Sequence, residues 1–335
     1  MSVVVAKREL RPAVPRGADV GLVRVAPDGR RFAFSRNDGP DAGIWVDDAG
    51  SATRVVAYEG WRAEELAWSP DGERLAYLVG GGPPPCGGRR VGFCSARAAG
   101  ELGRVDGMAF AWMPTGAALV CADIAKRRVV RHAVDGSGKT HALSGLDDDG
   151  DPQLPPRIAP APDGSHVAFT CRRVDDELSE LWVLGRKGDG PDASLLTQIP
   201  GSGVHVLPFW SPKGTTLAML VVHLEQEKSA IIAVPRLEGE GVVLYESALL
   251  DGAETPAWSP TGSTIAFLHV RAPSHEFTKS GPAQLALLHV REKSPVVELV
   301  TEPDEITGQP HFVDDKTLAI DGGAVGWVLT FADPV

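Results

Sequence analysis

The stretch Ala67–Tyr77, AWSPDGERLAY, recurs along the whole chain and limits what the chain can fold into. An apolar segment ends in a large ring, a Ser-Pro-Asp-Gly turn reverses direction, and a second segment leaves with apolar residues at alternate positions. Further copies are Val25–Gly29 before RRFAF, Trp112–Gly116 before AALVC, Pro160–Gly164 before SHVAF, Trp210–Gly214 before TTLAML and Trp258–Gly262 before STIAF. A degraded copy, Phe312–Asp315, precedes KTLAI. Proline presets φ for the first central turn position and Gly supplies the positive φ that closes the reversal, so each turn joins antiparallel neighbours. After it, pairs such as Leu75 and Tyr77, or Ile265 and Phe267, share one face of a strand. The Trp before the turn reads first as a packing element.

The turn prolines stand 43 to 50 residues apart. Repeats of roughly 40–50 residues, each with four short strands, are blades of a β-propeller. Third strands read as Ile44–Val46, Leu181–Val183, Ile231–Ala233, Leu285–Leu287 and Gly326–Val328; weaker fourth strands follow, as at Ala52–Tyr58 and Val242–Tyr245. The last unit supplies only three strands. An open sheet edge there is removed if the N-terminal segment, Ser2–Arg8, pairs as the fourth. The expectation is therefore an all-β, seven-bladed propeller of four-stranded antiparallel blades, one domain over residues 1–335. Its blades are about Gly21–Gly60, Trp61–Gly103, Arg104–Leu146, Asp147–Gly201, Ser202–Asp251 and Gly252–Asp304, and the seventh is 305–335 with 2–8.

In a four-stranded meander, the first-to-second and third-to-fourth turns share one face of the disk, and the other connections share the opposite face. The long connections fall mainly on that second face: Gly80–Arg89, Cys171–Leu178, His223–Lys228, Arg271–Ala283 and Leu146–Pro156. Variable loops on a rigid scaffold are where binding concentrates, so this face and the channel mouth are the expected functional surface. Arg89, Arg90, Glu177, Glu180, His275, Glu276 and Phe277 are the candidate partner-binding residues, led by Phe277, Arg89 and Arg90, because aromatics and Arg anchor interfaces.

The Trp-Ser-Pro-Asp-Gly turn, two spacers, an Ile/Leu-Ala-Phe/Tyr strand and an IWV-like strand together resemble the TolB-like β-propeller repeat, which also resembles the WD-repeat pattern. The resemblance covers nearly the whole chain and is strongest at Trp68–Gly72, Trp210–Gly214 and Trp258–Gly262. It weakens at Pro160, where the ring is missing, and at Val313–Asp314, where Ser-Pro is gone. It implies a six- or seven-bladed ring serving as a protein-interaction platform or as a gate over a catalytic domain. No hydrolase domain of the related peptidases fits in this chain, so a gate would serve a separate peptidase.

Catalytic motifs are incomplete. No Ser is flanked as Gly-x-Ser-x-Gly, the nucleophile elbow of serine hydrolases. Gly136–Thr140, GSGKT, lacks the phosphate-loop Gly at position 133, which is Ala, and continues as strand rather than helix. The acidic run Asp147–Asp151 fails calcium-loop spacing, because Gly145 and Pro156 fall where ligands belong. His205 and His311, on innermost strands, are weak metal candidates. Metal-dependent lyases with TolB-like rings carry channel-mouth His clusters, so a polysaccharide lyase is the enzyme alternative to a non-catalytic scaffold for a protein or peptide. No cofactor is expected. The net charge of −11 argues against a nucleic-acid partner, since phosphate binding needs concentrated Lys and Arg.

At the start of the sequence only Val3–Ala6 is apolar before charges begin. That is too short for a secretory leader's core of about 7–15 residues or a membrane span of about 20. A cytoplasmic location is expected, or a periplasmic one if a leader has been removed. In the reducing cytoplasm Cys86 and Cys94, which flank GGRRVGF, are expected as free thiols.

Overall fold

The computed structural model describes residues 2–15, 17–58, 60–81, 88–123, 128–145, 157–173, 177–185, 192–201, 203–247, 254–270, 283–290, 295–302, 306 and 308–335. Seven four-stranded antiparallel sheets follow one another, each a meander in sequence order except the last. The first strands are Val20–Val25, Trp61–Trp68, Ala109–Trp112, Ile158–Pro160, Val204–Trp210, Ala257–Trp258 and Gln309–Asp314. From Val20–Val25 to Gln309–Asp314 each contacts the next, and Val20–Val25 meets the second and third strands of the last sheet. That sequence of contacts closes a seven-bladed ring with the first strands at the hub. No helix among the described residues is long and apolar enough to cross a membrane.

The last sheet is completed from the other end of the chain. Val4–Leu10 pairs antiparallel with Gly326–Phe331, with Val4 opposite Phe331 and Leu10 opposite Gly326. The closing strand lies two residues later than the expected Ser2–Arg8. Leu10 accounts for the shift: it is buried against Val23, Val25, Phe34 and Val328, at the seam between the last blade and the first. Lys7, Arg8 and Glu9 interrupt the apolar pattern without ending the strand, because an outermost strand keeps most side chains in water. Ser2 adds a tie to blade six through its backbone N–H and its hydroxyl, which both donate to the Glu298 carboxylate at 2.6 and 3.0 Å.

The repeated turn works as its residues dictate. Gly29, Gly72, Gly116, Gly164, Gly214 and Gly262 all hold φ between +66° and +74°. Ser69, Ser211 and Ser259 are buried, and each hydroxyl accepts the backbone N–H five residues on, at 2.9–3.1 Å. Asp71 accepts from the Ser69 hydroxyl and from the Glu73 N–H, which together hold its carboxyl below the usual carboxylate range against the opposing effect of burial.

The repeated Trp does more than pack. Trp68 Nε1 donates to the Arg24 carbonyl at 3.0 Å, Trp112 Nε1 to Ala67 at 3.2 Å and Trp210 Nε1 to Ala159 at 2.8 Å. In every case the acceptor lies in the preceding blade, one residue before the position equivalent to the Trp. The indole therefore clasps blades two, three and five to the blades before them. Trp258 keeps its ring 6.4 Å from Phe209, but its buried Nε1 has no acceptor among the described residues.

This difference predicts unequal costs for one substitution. Trp112→Phe should destabilise the protein by about 1 kcal/mol, through loss of the clasp. Trp258→Phe, which removes an unsatisfied buried donor, should leave stability unchanged or raised. Denaturant unfolding of both variants checks this, and equal losses would contradict the clasp.

Candidate functional site: the mouth of the central channel

The hub encloses a channel of about 1080 Å³. Because each first strand runs from the long-loop face toward its Pro-containing turn, early residues of these strands line one mouth and late residues the other. Trp68, Trp112, Trp210, Pro27 and Pro162 form the turn-side end. Leu22, Arg62, Ala63, Glu64, Met108, Arg157 and Glu254 lie toward the loop-side mouth, with Arg89 entering from the third strand of blade two, Gly88–Ser95. One end is apolar and aromatic; the other gathers charge.

Two first strands are irregular at the charged mouth. In blade one the ladder slips between Gly21 and Arg24, and Leu22 sits at φ +49°, a region non-Gly residues rarely occupy. In blade two it slips between Ala63 and Glu65. A bulge inserts one residue and re-aims the side chains beyond it, and such features gather near functional sites. Here the residues just beyond are Arg24 and Glu65, and both line the channel.

Arg24 is held rigidly. Its Nε donates to Leu66 O in blade two, and its Nη1 to Val23 O and to Gly322 O in blade seven, all at 3.1 Å. One guanidinium thus spans three consecutive blades. Glu65 is the opposite case: its carboxylate has no hydrogen bond or ion pair to any described residue. It is half-buried and lines the channel. Burial therefore dominates and raises its pKa from the usual 4.5; Arg157 and Arg24 pull it down, and Glu254 pushes it further up. Glu254, half-buried across the channel, and the exposed Arg157 guanidinium likewise have no bonded partner among the described residues.

The candidates read from the sequence are scattered. Arg89 lines the mouth but is bound to Glu64 at 2.6 Å, and Arg90 lies over the Trp61 ring at 4.4 Å. Glu177 is an exposed turn residue at φ +49° whose carbonyl accepts the Gly201 N–H. Glu180 is not a loop residue: it lies in the strand Leu178–Gly185, 4% exposed, and its carboxylate accepts from Trp182 Nε1 and Gln198 Nε2. His275, Glu276 and Phe277 fall outside the described residues, as do most of the long connections.

His311 lines the channel with its Nδ1 3.5 Å from Asp321 Oδ2. His205 is half-buried on its first strand and does not line the channel. Among the described residues no three potential metal ligands gather. Cys94 is a buried free thiol whose pKa burial pushes up to about 12, while Cys86 falls outside the described residues.

The sequence reading missed Arg24, Glu65, Arg157 and Glu254. A signal for Glu65 was present. Trp61 and Ala63 occupy odd positions of the strand while Leu66 and Trp68 occupy even ones, so the alternation slips by one residue at Glu64–Glu65.

No protein-family model and no curated protein sequence matches the chain. Solved structures do match in fold. An oligogalacturonate lyase from Vibrio parahaemolyticus is 13% identical, with 98% of each chain covered and a TM-score of 0.61. A chain in the structure of a mitotic checkpoint complex is 14% identical, with 97% of this chain and 91% of that one covered and a TM-score of 0.66. A putative TolB from Agrobacterium tumefaciens is 15% identical, with 95% and 100% covered and a TM-score of 0.53. At these identities the shared property is the propeller fold.

The raised pKa of Glu65 gives a stability prediction of definite sign. A carboxyl whose folded-state pKa exceeds its unfolded value favours folding below the unfolded value, and that contribution is lost as pH rises through the folded value. Glu65→Gln should therefore melt above the parent protein at about pH 7, with the gap closing as pH falls toward about 4. A lower melt at neutral pH, or a gap independent of pH, would contradict the assignment.

Proposed function

We propose that this protein is a TolB-like propeller acting as a non-catalytic binding platform, which takes a protein or peptide partner at its long-loop face and the adjoining channel mouth. The observation that carries this reading is the pair of carboxylates, Glu65 and Glu254, that have no bonded partner among the described residues and lie with Arg157 in an open channel. Groups that cost stability when alone and are positioned by bulged strands have the character of a binding site. The similarity to a chain of a multiprotein complex and to a putative TolB supports the same reading.

A lyase is the second reading, favoured by the end-to-end similarity in fold to the oligogalacturonate lyase. It would draw on His311, which already faces Asp321 at the channel wall. Accessory service to a separate peptidase is a special case of the platform, in which the partner is a hydrolase.

Affinity capture from native lysate with the full chain tests the platform. A stoichiometric partner is expected with the parent protein and with Lys213→Glu on the turn-side face, and is expected to be lost with Arg62→Glu/Arg157→Glu at the loop-side mouth. Equal retention by both variants would overturn the choice of face. Turnover of oligogalacturonate by the purified chain, lost with His311→Ala, would replace the platform with the lyase.

A further inference from the structure

The joints between blades are unequal, and the inequality follows the repeat. At the hub the indole clasp ties blade two to one, three to two and five to four. Blade four has Pro160 at the position of the ring, and Trp258 of blade six has no acceptor for its buried Nε1 among the described residues. The joints of three with four and of five with six therefore lack the clasp. Phe312 of blade seven and Val25 of blade one also stand in place of the Trp, but other bonds cross there. Ser2 of the closing strand donates to Glu298 of blade six, and the Val23 and Val25 N–H groups donate to Gly323 O and Asp321 Oδ1 of blade seven at 2.9 and 2.7 Å.

The two joints without a clasp coincide with the two shortest first strands. Ile158–Pro160 has three residues and Ala257–Trp258 two, all half-buried, whereas the seven residues of Val204–Trp210 between them are buried except His205. Blades four and five are bound to each other twice, by Trp210 Nε1 to Ala159 O and by the buried Ser179 hydroxyl to Val204 O at 2.9 Å. The joint of five with six keeps a tie away from the hub, where Tyr245 Oη on the outermost strand of blade five meets His269 Nδ1 at 3.1 Å. The joint of three with four is an apolar contact of Met113, Val120 and Val129 with Val167 and Phe169. A joint tied at the rim and untied at the hub has the form of a hinge, and apolar packing without a directed bond is where two packed bodies part or slide.

We propose that blades four and five move as one body, hinged where blade five meets blade six and parting from blade three, and that this motion sets the width of the channel. Met108 and Trp112 of blade three line the channel on one side of the parting joint, and Arg157 and Pro162 of blade four line it on the other. Parting carries Arg157 away from blades two and three and opens the channel wall at Pro160. The device goes beyond the platform reading, because it acts on the channel whatever occupies it.

Thiols buried in different joints of the full chain test this through their rates of reaction with iodoacetamide, read site by site by mass spectrometry. Cys94 and Cys121 already lie buried in the joints of one with two and of two with three. Ala118→Cys, Ala168→Cys and Ala286→Cys, made separately with Cys86 and Cys171 replaced by Ser, place a thiol in the joints of three with four, four with five and five with six. The thiols of Ala118→Cys and Ala286→Cys should react about fivefold or more faster than Cys121 in the same molecule, the factor that one net hydrogen bond supplies. That of Ala168→Cys should react no faster than Cys121. Pro160→Trp, which offers an indole to the Ala111 carbonyl, should abolish the excess at Ala118→Cys. Rates equal to that of Cys121 at Ala118→Cys or Ala286→Cys, an Ala168→Cys thiol as fast as they are, or an excess that Pro160→Trp leaves unchanged would overturn the proposal. A variant that is merely less stable speeds Cys94 and Cys121 by the same factor, so the ratio within one molecule isolates the joint. The comparison among the three Ala variants decides the matter even if Pro160→Trp fails to fold.

Discussion

Seven sheets can surround a channel only if the last is joined to the first, and in this chain the joint is the antiparallel pairing of Val4–Leu10 with Gly326–Phe331. A strand brought from the far end of the sequence converts an open row of blades into a closed ring and removes the sheet edge that an incomplete last blade would expose. Leu10 carries the joint into the core, because it packs against blade one as well as blade seven. Arg24 reinforces it from the hub side, where its guanidinium bonds carbonyls of blades seven, one and two. The channel groups come from blades one, two, four and six, so their approach to one another depends on the closure.

Around the rest of the ring a second device repeats. The indole N–H of one blade bonds the backbone of the blade before it, and the Gly of each turn sits close to the preceding turn; a Cβ on Gly116 would come within 2.9 Å of the Asp71 carboxylate, and one on Gly214 within 3.0 Å of Asp163. The Trp and the Gly of the repeat thus serve the joints between blades as well as the turn itself. Blade four has Pro160 in place of the ring and contributes no such clasp to blade three.

The fold was legible in the sequence because its signals are local and repeated. Pro and Gly at fixed positions dictate the turn, alternate apolar residues dictate the strands, and the period dictates the number of blades. Closure was legible by elimination, though Leu10 was missed because three charged residues precede it. The site was far less legible. The reading by loop length chose Arg89 and Glu180, but the structure commits one to Glu64 and buries the other under Trp182 and Gln198. Glu65, Glu254 and Arg157 belong to three different blades, and only ring geometry makes neighbours of residues so far apart in sequence. The one-residue slips in alternation at Leu22–Val23 and Glu64–Glu65 were the readable trace, since a bulge in a hub strand is where a side chain can be turned into the channel.

The ring's joint is tested most directly by thermal unfolding of the chain lacking residues 2–10. Loss of the closing strand should lower the midpoint by on the order of 10 °C, as the removal of several kcal/mol from a chain of this size requires, and adding the missing segment as a free peptide should restore part of the loss. An unchanged midpoint, with no response to the peptide, would contradict the closure and the channel geometry that depends on it.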